Sequence, residues 1–136
     1  MAYLKQLTDT MCVAPQIRPE EVAALKDAGF SLVINNRPDG EEPGQPTSRD
    51  IRSAVEDAGI AYVHIPVGHG ISPAEVSAMR DALAGCDGKV LGFCRSGTRS
   101  TMLWALAQSE EGVPKETLHE VAEGAGYNLA PISHLL

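Results

Sequence analysis

The sequence predicts an α/β fold, a three-layer sandwich whose central, mostly parallel sheet of four to five strands is flanked by helices. Short apolar runs alternate with stretches of helical grammar along the chain, the pattern of parallel strands joined by right-handed crossovers. The 136 residues, 43% of them apolar, suit one domain spanning 1–136. One apolar run ends in a cysteine and leads through a small-residue loop into a helix, which places chemistry at the end of a buried strand.

Met11-Cys12-Val13-Ala14 reads as the first strand, ended by Pro15. Residues 19–29 open on proline and acids, carry apolar residues at helical spacing and close on Gly29, a helix. Residues 30–36 form a buried strand. Residues 37–46 hold three prolines, two glycines and three acids, hence a loop. It leaves the carboxyl end of a central strand, where open α/β sheets bind ligands. Either it is a solvated acidic loop, or Asp39 or Glu41 partners an arginine of the cysteine loop.

A second helix runs from Thr47 to Gly59, with Thr47-x-x-Asp50 resembling a capping box. Residues 60–67 give a third strand stopped near Pro66, and Gly68-His69-Gly70 a loop. Ser72-Pro73-Ala74-Glu75 is a capping box with proline at the first helical position, opening a helix to about Ala84. Cys86-Asp87-Gly88 turns into the strand Lys89–Phe93, a helical segment covers 102–107, another helix runs from Pro114 to about Ala125, and a short helix ends the chain.

Net charge is −7, which argues against nucleic acid and anionic membranes as partners. No apolar run approaches the roughly 20 residues of a membrane span, and the first residues lack the apolar core of a signal peptide. Cys12, Cys86 and Cys94 are an odd, widely spaced set, suited to a reducing cytoplasm rather than to disulfides. No cysteine–histidine spacing matches a zinc site, so neither metal nor cofactor is expected. Cys12 and Cys86 are read as structural, and Trp104 as a core residue.

The candidate site is Cys94-Arg95-Ser96-Gly97-Thr98-Arg99-Ser100. Backbone N–H groups of a loop that opens a helix are unpaired and attract anions, and the helix dipole and two guanidinium groups add to that field. A thiolate there is stabilised, so a pKa below the ordinary value of about 8.5 is expected. Cys94 is the expected nucleophile and Arg99 its anion-binding partner. Arg95, Ser96, Gly97, Thr98 and Ser100 are expected to hold the substrate, Ser100 by hydrogen-bonding the sulfur. Asp39 and His69 are possible accessory groups.

Tyrosine and dual-specificity phosphatases carry Cys-x5-Arg, whereas rhodanese-type sulfurtransferases often carry a shorter loop. Here the spacing is Cys-x4-Arg, which resembles the single-domain rhodaneses. Gln16, the segment Ile34–Glu41, Tyr62-x-x-Ile65-Pro66-Val67 and the Cys94–Ser100 loop together resemble the bacterial phosphatase-like domain family of beta-lactamase hydrolase-like proteins, over roughly residues 7–110. That resemblance implies a (phosphotyrosine protein phosphatase)-like fold carrying a rhodanese-like loop. It also implies a place in sulfide and persulfide metabolism, with a persulfide dioxygenase as a possible partner. The loop where dual-specificity phosphatases keep an acidic general acid reads Gly68-His69-Gly70-Ile71-Ser72, without a carboxylate.

The sequence reading therefore favours a sulfurtransferase. Cys94 takes sulfane sulfur from thiosulfate or a small persulfide, and a thiol acceptor removes it. The alternatives are a cysteine-dependent phosphatase and a non-catalytic anion- or persulfide-sensing module.

Overall fold

The computed structural model describes residues 3–136. Residues 1 and 2, part of the segment read for a signal peptide, lie outside the described residues. Five strands form one sheet: β1 (Lys5–Gln6), β2 (Met11–Ala14), β3 (Phe30–Asn35), β4 (Ala61–His64) and β5 (Lys89–Phe93). Their order is β1-β2-β5-β3-β4. The β2–β5, β5–β3 and β3–β4 pairs are parallel, and β1 is antiparallel to β2. The sequence reading omits β1, whose two residues are both exposed and carry no apolar signal.

Three helices connect successive strands, α1 (Val22–Asp27), α2 (Ser48–Asp57) and α3 (Pro73–Ala84), and two follow β5, α4 (Thr98–Glu110) and α5 (Lys115–Gly124). Short 3₁₀ turns occupy Pro19–Glu21 and Ala130–Leu135. Alternation along the strands builds the three layers. Met11, Val13, Leu32, Ile34 and Val90 face α3, α4 and α5. Cys12, Ala14, Val33, Leu91 and Phe93 face α1 and α2. The expected sandwich is present, with β5 and β3 at its centre.

Local signals place the helix ends as their chemistry dictates. Thr47 Oγ1 accepts the Asp50 N–H at 3.1 Å. Ser72 Oγ accepts the Glu75 N–H at 3.3 Å, and Glu75 Oε1 accepts the Ser72 N–H at 2.7 Å. Helix α4 departs from expectation: it begins at Thr98, inside the cysteine loop, rather than at Met102. Gly97, at φ +93°, makes the turn that lets it start there. Leu103, Trp104, Ala105, Leu106 and Ala107 are all buried, so α4 lies within the core rather than on its surface. Trp104 packs there as expected. No helix among the described residues is long and apolar enough to cross a membrane. All three cysteines are free thiols.

Candidate active site

The site sits where the parallel strands end. Strand β5 is pinned on both sides: the Cys94 N–H donates to the carbonyl of Ala14, the last residue of β2, at 3.4 Å, and the Asn36 N–H donates to the Phe93 carbonyl at 2.8 Å. This fixes Cys94 at the floor of the loop, buried at 0% exposure. Its Sγ accepts the Gly97 N–H at 3.1 Å. The sulfur thus lies at the N-terminus of α4, whose first-turn N–H groups have no intrahelical partner and whose dipole favours negative charge.

Arg99 leaves the first turn of α4 and is aimed by two other loops. Its Nη1 donates to Glu41 Oε2 at 2.8 Å and to the Val67 carbonyl at 2.7 Å, and its Nη2 donates to Glu41 Oε1 at 2.8 Å. A bidentate pair of this kind fixes the plane of a guanidinium as well as its position. The ion pair with Glu41, followed by the charge of Cys94, pushes the Arg99 pKa further above its usual value. The acidic loop therefore partners Arg99 through Glu41, one of the two candidates the sequence offered.

Glu41 is itself held from below. Arg37, 1% exposed, donates from Nε to Glu41 Oε1 at 2.8 Å and from Nη2 to Glu42 Oε1 at 3.0 Å. Its Nη1 donates to Gln16 Oε1 at 3.1 Å. Arg99 first, and then Arg37, hold the Glu41 carboxyl down at about 2. Because the folded value lies below the ordinary value of about 4.3, Glu41 adds stability that is complete above that value and lost as pH falls. Urea midpoints of the wild-type protein are therefore expected to drop between about pH 5 and pH 2 more steeply than those of Glu41→Gln. Parallel curves for the two proteins would refute the assignment.

The other expected site residues take different places. Ser96 Oγ donates to Thr98 Oγ1 at 3.0 Å and accepts the Thr98 N–H at 3.4 Å, so the two hydroxyls brace the start of α4. The Ser100 hydroxyl is buried and donates to Asn36 Oδ1 at 2.8 Å, not to the sulfur. Asn36 in turn donates to the Ile65 carbonyl at 3.0 Å, so Ser100 locks α4 to the loops after β3 and β4. Arg95 is 67% exposed and stands 3.5 Å from Glu42 Oε2, directed outward. Asp39 is engaged elsewhere: its Oδ1 accepts the Ser48 N–H at 2.8 Å and closes the entry to α2. His69 is exposed on its loop and hydrogen-bonds to no site residue among the described residues.

Arg37, Asn36, Gln16 and Tyr127 belong to the site, and the sequence reading gave them no role in it. For Asn36 and Arg37 a signal existed, two polar residues continuing a buried apolar strand. For Tyr127, 28 residues beyond Arg99 in the chain, there was none. A cavity of about 450 Å³ opens between the 37–46 loop and the segment after β2, lined by Gln16, Arg18, Arg37, Glu42 and Gln45 among others and by no residue of the Cys94–Ser100 loop. Among the described residues, no group of three or more His, Cys, Asp or Glu side chains could hold a metal ion.

A family model described as "Beta-lactamase hydrolase-like protein, phosphatase-like domain" matches residues 3–111. The chain belongs to this family. A Xylella fastidiosa (strain Temecula1) beta-lactamase hydrolase-like protein is 34% identical over 125 residues, which is 90% of this chain and 29% of the relative. An Agrobacterium fabrum protein of the same name is 32% identical over 96% of this chain and 31% of its own length. The domain thus spans about 30% of the length of the curated relatives it matches. A solved Neisseria meningitidis Z2491 protein, described as a candidate phosphatase, is 32% identical with a TM-score of 0.84, covering 98% of this chain and 95% of that one. Kinase associated phosphatase, at 16% identity and TM-score 0.73 over 97% of this chain and 88% of that one, shares the fold. The domain is therefore phosphatase-like in fold and family. The expectation of sulfur transfer, drawn from loop length and the missing acid, finds no support among these relatives.

Proposed function

We propose that the domain is a cysteine-dependent hydrolase of phosphate monoesters, with aryl phosphates as its preferred class. One arrangement carries this reading: a thiol at the N-terminus of α4 that accepts the Gly97 N–H at 3.1 Å, beside an arginine locked in place by Glu41. The Cys94 thiolate attacks phosphorus, the P–O bond to the leaving group breaks, and a phosphocysteine forms. Arg99 and the free N–H groups of the first turn hold the equatorial oxygens as charge builds. Water then cleaves the S–P bond, releasing inorganic phosphate and restoring the thiolate.

The preference for aryl esters follows from the missing acid. Asp39 caps α2, Glu41 is held ionised between two arginines, and the loop after β4 has no carboxylate. A phenolate, whose conjugate acid has a pKa of about 10, departs without the proton an alkoxide requires.

That same absence favours one second reading, sulfane sulfur transfer, because sulfite also leaves thiosulfate without protonation. There the thiolate takes the outer sulfur, the S–S bond breaks, and a thiol acceptor later removes the sulfur. A small anionic sulfur donor, a thiol and a persulfide dioxygenase would be the partners.

Wild type and Cys94→Ser, assayed with p-nitrophenyl phosphate and with thiosulfate plus cyanide, test both readings. Phosphate release is expected in the wild type and to fall by at least about 10³-fold in the variant. Sulfur turnover without phosphate release would replace the first reading with the second. Silence in both assays, with Cys94 still open to alkylation, would leave a sensing module.

A further inference from the structure

The segment after α5 brings an aromatic residue to the outside of the Cys94 loop. The Tyr127 hydroxyl donates to the Ser96 carbonyl at 3.1 Å. That carbonyl belongs to the same peptide unit as the Gly97 N–H, which donates to Cys94 Sγ at 3.1 Å on the inner side. One rigid, planar amide thus links the phenol to the sulfur. We infer that Tyr127 is a positioning residue for the nucleophile, holding the Ser96–Gly97 peptide so that its N–H faces the sulfur and not the solvent.

Three observations support this. First, the peptide has a real alternative orientation. Gly97 sits at φ +93°, in a region glycine enters freely, so its own backbone preference does not fix the unit. Second, the contact is tight. A Cβ at Gly97 would collide with the Tyr127 hydroxyl and lie 2.9 Å from Cζ, so the phenol rests directly on the glycine α-carbon. Third, the phenol feels the sulfur. Burial, then the negative charge of Cys94, push the Tyr127 pKa up, which keeps the hydroxyl protonated and donating at neutral pH. A hydrogen bond accepted by the carbonyl polarises the amide and strengthens its N–H as a donor. Tyr127 also lies outside residues 3–111, the part shared with the family model.

The inference deepens the reading of Cys94 as nucleophile, and its test uses no substrate, so it stands or fails apart from the choice between phosphate and sulfur. The rate of Cys94 alkylation by iodoacetamide is measured from pH 5 to pH 10 on wild type, Tyr127→Phe and Tyr127→Leu, in a Cys12→Ala/Cys86→Ala background. Tyr127→Phe keeps the ring and loses only the bond. Its alkylation rate at pH 7 is expected to differ from wild type by about three- to tenfold, through a smaller thiolate fraction, with the two rates converging near pH 10. Tyr127→Leu should show the same displaced profile even where its melting temperature differs. A wild-type profile in both variants, whatever their melting temperatures, would overturn the inference and leave Tyr127 as packing.

Discussion

Replacing Arg99 by lysine is expected to lower kcat/KM toward an aryl phosphate by about 10²- to 10³-fold. Lysine keeps the charge and loses the geometry. Arg99 spends one nitrogen on both Glu41 and the Val67 carbonyl and a second on Glu41, and an ammonium cannot span that set. The substrate oxygens then meet a mobile point charge rather than a fixed fork. Glu41→Gln should give a smaller loss, because the amide still accepts one bond but no longer neutralises or aligns the guanidinium. Steady-state kinetics with circular-dichroism melts separate this effect from unfolding. A loss of less than about tenfold in Arg99→Lys would mean that charge alone suffices, and the fork would have no part in stabilising the transition state.

Arg37→Met is expected to destabilise the fold by about 3 kcal/mol, and to impair the site with it. The guanidinium is 1% exposed and has three side-chain partners: Gln16, Glu41 and Glu42. Removing one partner of a buried pair costs roughly 3–5 kcal/mol. The lower end applies because Glu41 and Glu42 are 27% and 43% exposed and can recover water. Methionine fills much of the volume, so the loss reports on the polar network rather than on a cavity. The urea midpoint should fall with an unchanged slope, and the melting point by about 10 °C. A change under about 1 kcal/mol would show that the carboxylates are content without Arg37.

The layers were legible because each of the four parallel strands, β2 to β5, carried its own pattern. Phe30–Asn35 and Lys89–Phe93 are apolar enough to be recognised alone, and Ser72–Glu75 announces its helix by its hydrogen-bonding chemistry. The candidate nucleophile was legible for a similar reason, since Cys94 and Arg99 lie within one short loop. What reading the chain could not supply was geometry between distant residues. Ser100 looks like a sulfur ligand until Asn36, 64 positions away, claims its hydroxyl. Asp39 looks like an acid until the Ser48 N–H turns it into a cap. Function was misweighted on the same ground: a loop one residue short and a missing acid were read as sulfur chemistry, whereas family and fold stand with the phosphatases.

The packing of α4 also decides where this domain can be cut. The family-model match ends at residue 111, which invites an excised fragment with that terminus. Yet Leu118, Ala122, Leu129 and Ile132 belong to the same apolar cluster as Leu103 and Trp104. A fragment stopping at 111 would bare that face to water, and contiguous bared apolar surface promotes self-association. The border of the family-model match and the border of what folds are different borders here. Transplanting this module into another protein requires the second.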